Sequence, residues 1–165
     1  MDNTTTPQCV HEYVSHHFPI THNPVTHPNS NGLVDHWPTG QECSFVNPPF
    51  SDAQLWIEKA KREAQRGAAS VLFVPAIFNS LYFRESVYPF ASEIRILTCP
   101  FKIPGKSKQL VAQTALVVFA ARDPETVVNG FPPVYFVEPE NWADDYYKRP
   151  RNRTRFSAPT QMENP

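Results

Sequence analysis

The clearest alternation of apolar and polar positions lies in the middle of the chain. Ser44-Phe45-Val46 is a short apolar run that stops at Asn47-Pro48-Pro49-Phe50, a pattern that predicts a strand ending in a turn. Ala53, Trp56, Ile57, Ala60 and Ala64 then recur at helical spacing. Ser51 is placed to cap that helix, Gln54 to complete a capping box and Gly67 to close it. Glu58 with Arg62, and Lys59 with Glu63, fall four residues apart and are expected as ion pairs on the solvent side. Val71-Leu72-Phe73-Val74 is a continuous apolar run of strand length, which suits a parallel strand covered on both faces. Strand, helix and strand make a βαβ unit.

Downstream, a short helix is expected over 80–90 and strands over 93–98 and 114–121. The two strands can pair as a long antiparallel hairpin across the loop 101–109. Upstream, residues 1–44 are polar and hold every histidine. A short helix over 10–18, with Val10, Val14 and His17 on one face, ends at Pro19. Prolines and Gly32 make 24–38 a loop. After 121 the periodicity fades, with 131–136 expected as an extended segment against the core and the end from about 157 as disordered. The pattern predicts an α/β domain over 1–121 with a C-terminal antiparallel hairpin, and an irregular proline-rich tail over 122–165.

Composition sharpens this in a few places. Hydrophobic residues make up 41% and charged residues 19% of 165, an ordinary globular balance with room for one core. Eighteen prolines against five glycines favour extended and turning segments over long helices. A formal net charge of -1 removes any global basic footprint for nucleic acid, so such contacts must come from local patches. Lys102, Lys106 and Lys108 form one, equally readable as a solvated hairpin tip; the run from Lys148 to Arg155 forms another, but its proline and the neighbouring Asp144 and Asp145 favour a solvated tail there. Cys9, Cys43 and Cys99 are too few and too scattered for a disulfide framework or a thiolate zinc site, which points to a reducing intracellular setting. His11, His16, His17, His22, His27 and His36 match no zinc spacing, and no metal is expected. Neither a signal peptide nor an apolar run long enough to span a bilayer is predicted.

The candidate chemistry lies in Asn47-Pro48-Pro49-Phe50. An exocyclic amine on a nucleobase is a poor nucleophile, because its lone pair is delocalised into the ring. An enzyme that alkylates it must hold the nitrogen close to the electrophile and favour a tetrahedral geometry. An Asn side-chain oxygen and the carbonyl of the next residue can accept the two amine hydrogens. Consecutive prolines hold that carbonyl rigid, and an aromatic residue just beyond can stack on a base taken out of its helix. The turn also lies where an open α/β sheet binds ligands, at the carboxyl end of a strand. The alternative is a rigid proline turn that only aims the helix.

The match extends beyond four residues. The pieces FVNPPFS, LWIEKAKREAQRG, SVLFVPA, EIRILTCPFKI and TALVVFAA resemble the phage-type DNA N6-adenine methyltransferase (Dam) family. Upstream, TPQ, FPITHNPV and NGLVDHW follow in the same order, so the resemblance covers about residues 6–121. It implies a compact, truncated Rossmann-like methyltransferase sheet, S-adenosylmethionine as the methyl donor and adenine in DNA as the acceptor. Asn47 and Pro48 would hold the amine, with Pro49 fixing the turn, Phe50 stacking on the base and Ser51 neighbouring the site. His22, Asn23 and Pro24 would lie at the cofactor. The setting would be intracellular, in host cytoplasm or nucleus, or virion-associated.

Two departures favour a reading of another class. Asn23 stands where family members tend to carry an acidic residue, and no glycine-rich loop is present to bring backbone close to a donor. On that reading the chain is a catalytically inactive methyltransferase-fold protein, a viral structural or assembly module that binds a viral or mobile-element protein partner.

Overall fold

The computed structural model describes residues 6–26, 31–98, 113–121 and 130–140. Its strands are β1 (Ile20–His22), β2 (Cys43–Val46), β3 (Ala69–Pro75), β4 (Glu93–Leu97), β5 (Thr114–Phe119) and β6 (Val134–Val137). Two helices accompany them, α1 (Gln8–His17) and α2 (Ala53–Gln65), with a π-helical turn at Phe83–Val87. The sheet order is β1-β2-β3-β5-β4-β6. Neighbouring β1, β2 and β3 run parallel, β5 is antiparallel to both β3 and β4, and β6 is parallel to β4. This is a mixed α/β protein with an open, mostly parallel sheet and a helix on each face.

The alternating strand positions explain the two faces. Val46, Leu72, Val74, Ile94, Ile96, Ala115, Val117 and Phe119 point to one side, where Trp56, Ile57, Ala60 and Ala64 of α2 close the layer. Cys43, Phe45, Val71, Phe73, Leu116 and Val118 point to the other, where Cys9, Val10 and Val14 of α1 pack. All six residues of β5 are buried, as expected of a central strand covered on both faces. Arg95 of β4 ties α1 down further. Its Nη1 donates to Tyr13 Oη at 3.0 Å, its Nε donates to Glu93 at 2.7 Å, and its guanidinium lies over the Phe18 ring.

Several sequence expectations need correction. The start of α2 is a 3-10 turn, Phe50–Asp52, and Asp52 occupies the cap position with no side-chain cap bond, so the Ser51–Gln54 capping box does not form. Lys59 and Glu63 do pair, at 2.6 Å, but inside the protein rather than on the solvent side. The loop 31–37 folds over this face of α2 and removes it from water. Glu58 meets Lys61 and Ser86 Oγ instead of Arg62. The expected helix over 80–90 is mainly the π-helical turn. Strand β1 was missed, because its three residues sit between prolines and carry no period to read. The hairpin of β4 and β5 forms as expected, and β6, from the proline-rich segment, adds an edge strand beside β4. Phe131, Val134, Tyr135 and Phe136 are exposed along that edge. Among the described residues no helix is long and apolar enough to cross a membrane.

Candidate functional site

The carboxyl ends of β1, β2 and β3 lie side by side, because the three strands are parallel and in adjacent register. Asn47-Pro48-Pro49-Phe50 leaves the sheet there, directly after Val46. Proline cannot continue the ladder, so the chain turns at once into the 3-10 turn and then α2. Pro48 is buried, whereas Asn47, Pro49 and Phe50 are half-buried.

Asn47 is held from a distance in sequence. Its Nδ2 donates to Thr6 Oγ1 at 2.7 Å, and its Oδ1 is sealed from solvent. Thr6 and the buried Pro7 immediately precede α1, so packing of that helix on the sheet is what brings them to the turn. The Phe50 ring stands edge-on to Phe73 of β3, with centroids 6.0 Å apart, and packs on the α1-side core.

The residues expected at the cofactor follow β1 at the same edge. His22 Nδ1 lies 2.9 Å from Ser44 Oγ, its register partner on β2. Asn23 Oδ1 accepts the Val25 N–H at 3.1 Å, a local turn of the kind asparagine favours. Pro24 is buried against Gly32; a Cβ added there would overlap the Pro24 carbonyl. A methyl donor carrying hydroxyl and ammonium groups calls for acceptors, ideally a carboxylate. His22, Asn23 and Pro24 offer no carboxylate, and the Asn23 oxygen is already used inside the chain. As arranged, these three residues supply no carboxylate to the hydroxyl or ammonium groups of S-adenosylmethionine.

Lys102, Lys106 and Lys108 lie outside the described residues, as do His27, Cys99 and the basic run 148–155. The helix that carries His11, His16 and His17 uses them on its surface. His17 stacks on Tyr13 rather than joining the buried face with Val10 and Val14, and His11 meets Phe45 edge-on. Among the described residues no three His, Cys, Asp or Glu side chains converge as metal ligands. A cleft of about 420 Å³ lies between α1 and the segment after β6, lined by Glu12, Tyr13, His16, His17, Glu138 and Glu140 among others; Asn47 is not in its wall.

Beneath the edge, Trp37 settles as core. Its indole lies 3% exposed beside Trp56, with centroids 6.5 Å apart, and its Nε1 donates to the Gly32 carbonyl at 2.8 Å. Glu63 anchors the same loop by accepting the Trp37 N–H at 3.1 Å. Burial pushes the Glu63 carboxyl upward, but the bonds from Lys59, Trp37 and His36 outweigh it and hold the group below the usual carboxylate range. The contacts of Thr6 and Ser44 were not anticipated from sequence. Residues 41 positions apart leave no local signal, and only the strand pairing makes His22 and Ser44 neighbours.

No family model matches the chain, and no curated protein matches it. Among solved structures, it is similar to a protein from Listeria monocytogenes assigned provisionally to the class I S-adenosylmethionine-dependent methyltransferases. The identity is 14% and the TM-score 0.42, over 70% of this chain and 42% of that one. A second similar structure is the ATP-dependent Type ISP restriction-modification enzyme LlaBIII bound to DNA, with 14% identity and a TM-score of 0.34, over 81% of this chain and 9% of that one. The chain therefore spans less than half the length of either protein.

Proposed function

We propose that this protein is an S-adenosylmethionine-dependent methyltransferase of the phage or mobile-element kind, acting on the N6 amine of adenine in DNA. The observation that carries the proposal is the place of Asn47-Pro48-Pro49-Phe50, at the carboxyl end of a parallel strand and the entry to α2. In this reading Asn47 Oδ1 and the Pro48 carbonyl accept the two amine hydrogens, which favours the tetrahedral nitrogen. Pro49 keeps the Pro48 carbonyl rigid, and Phe50 offers a ring to the base. The reading rests on this acceptor side; His22, Asn23 and Pro24, at the neighbouring strand end, would line the donor side without a carboxylate. Lys102, Lys106 and Lys108 would contact phosphate oxygens of the DNA.

The second reading, a non-catalytic module that binds a viral or mobile-element protein, draws support from the same edge. Asn47 is engaged by Thr6 with its oxygen sealed, and the Asn23 acceptor is spent on Val25. Titration calorimetry with S-adenosylmethionine separates the two. Saturable micromolar binding, followed by methyl transfer to adenine that Asn47→Ala abolishes, supports the enzyme. A folded sample that takes up no donor at millimolar concentration, with and without DNA, leaves the binding module.

A further inference from the structure

β6 closes the sheet at the edge opposite β1, and among the described residues one side of its backbone pairs with no strand. Pro133 and Val137 accept the N–H groups of Ile94 and Thr98, both at 2.9 Å, so the backbone groups at this parity face β4. Backbone groups alternate sides along a strand, which turns the N–H and C=O of Val134 and Phe136 outward. The side chains at this edge are apolar as well. Val134 and Phe136 stand on the face shared with Ile94 and Ile96, 47% and 71% exposed, and Tyr135 stands on the other face, 49% exposed. Phe131, 79% exposed, meets Tyr88 edge-on with centroids 5.3 Å apart and extends the patch. No charged residue interrupts 131–137, although edge strands are commonly guarded by one.

We propose that β6 is the interface of a homodimer, paired antiparallel with β6 of a second copy about a twofold axis at Tyr135. The edge is self-complementary. With Tyr135 opposite its counterpart, Val134 and Phe136 fall opposite each other twice, and their outward groups form about four interchain hydrogen bonds. Val134 then packs on Phe136 of the partner subunit on one face, and the two Tyr135 rings meet on the other. Charge favours a second copy too. A formal net charge of -1 leaves little repulsion between copies, and Glu138 falls opposite Pro132 of the partner subunit rather than its own counterpart. Pro132 has no N–H, so the ladder ends there. The area reaches what a specific dimer needs: the four exposed side chains present roughly 450 Å² per copy, so pairing, with the backbone strip included, buries about 1,000 Å² in all. Such an isologous contact uses the edge of both copies, and association stops at two.

Sedimentation velocity of the full chain from about 1 to 300 µM, a span suited to a small interface, should show a monomer giving way to a dimer and to nothing larger. Val134→Pro removes only a donor that faces away from β4, a place where an edge strand accepts proline, and Phe136→Lys sets a charge in the patch. Each should weaken association about tenfold or more, with the thermal midpoint of the dilute protein close to that of the wild type. The register has its own readout. Twofold-related Tyr135 Cα atoms would stand about 4.5 Å apart, within disulfide reach. With Cys9 and Cys43 buried, Tyr135→Cys in a Cys99→Ser background should therefore cross-link on oxidation, whereas Glu138→Cys should not. A dimer indifferent to both substitutions, or one cross-linked by Glu138→Cys and not by Tyr135→Cys, overturns the interface. So does a monomer at every concentration. Hydrogen exchange then names the occupant: slow Val134 and Phe136 amides mean that another segment of this chain lies on the edge, and fast ones leave it to a foreign strand. None of these outcomes involves Asn47, so the methyltransferase reading stands or falls separately.

Discussion

Lys59 Nζ lies 2.6 Å from Glu63 Oε1, one turn along α2, and neither side chain is more than 4% exposed. A pair at this spacing on a helix surface contributes a few tenths of a kcal/mol, whereas one removed from water behaves differently. Glu63 also receives the Trp37 N–H at 3.1 Å and His36 Nδ1 at 3.4 Å, so one carboxylate fastens the 31–37 loop over the helix. Replacing Glu63 by Leu strands the Lys59 charge and should cost about 3–5 kcal/mol in urea unfolding. Adding Lys59→Met to that variant should recover more than half of the loss. The remainder reflects the Trp37 N–H, which still lacks its acceptor. A double variant no more stable than Glu63→Leu would show that the pair is not the anchor.

The same carboxylate makes stability depend on pH. Glu63 titrates below its ordinary range when folded, so the unfolded chain binds its proton more readily. Its contribution is complete above the ordinary carboxylate range, near pH 4–5, and is lost as the pH falls through the lower folded value. The stability gap between the wild type and Glu63→Gln should therefore be widest near neutrality and shrink in acid. Thermal melts of both proteins between pH 3 and 7 check this, and a gap that widens in acid would reverse the assigned direction.

What the sequence made legible was whatever repeats within a few residues. The apolar run of β3, the spacing of Trp56, Ile57, Ala60 and Ala64, and the turn at Asn47 were all readable, because strand and helix periods are local. Lys59 and Glu63 were readable as a pair, but not as a buried one. Only the fold shows that the segment carrying Trp37 lies across them. β1 was hidden for a related reason. Ile20–His22 is stabilised by pairing with Cys43 and Ser44, and nothing within those three residues announces it. At the candidate site, Asn47 to Phe50 could be named from local chemistry. The Thr6 contact and the internal use of Asn23 became visible only in three dimensions.

Gly32 should resist any side chain. Its carbonyl accepts Trp37 Nε1 at 2.8 Å, and an added Cβ would overlap the buried Pro24 carbonyl, which is backbone and cannot rotate away. Gly32→Ala is expected to destabilise by about 1–3 kcal/mol, the range for overpacking. Trp37→Phe, which mainly removes the indole hydrogen bond, should cost roughly 1 kcal/mol from that term, plus a smaller packing loss. Equilibrium denaturation of the two variants ranks them, and a neutral Gly32→Ala would contradict the close approach.

Cys43 should be chemically silent in the native state. It lies in β2, 4% exposed, and burial pushes its thiol up to about 11, so almost no thiolate is present at neutral pH. In a Cys9→Ala, Cys99→Ser background, a disulfide-exchange reagent at pH 8 should label Cys43 only as fast as the protein opens, and 4 M urea should speed the reaction sharply. Rapid labelling of the native protein would mean that the β1–β2 side of the sheet opens readily.

Asn47 and Phe50 are expected to respond in opposite ways, and the contrast tests whether the turn is a site or a scaffold. Asn47→Ala removes one bond to Thr6 at a half-buried position, so its stability cost should be about 1 kcal/mol. If Asn47 accepts the adenine amine, the same change removes an acceptor that acts in the transition state. Methyl transfer should then fall by about 100-fold or more, with donor binding unchanged. Phe50 packs on Phe73 and the α1-side core, so Phe50→Ala should destabilise more than Asn47→Ala does. Phe50→Leu keeps most of that packing while losing the flat ring, which isolates any stacking role in the KM for DNA. Together, a low stability cost with a large rate loss at Asn47, and a raised KM in Phe50→Leu, fit an acceptor site. Stability losses at both positions with no catalytic change would make the turn a scaffold for α2.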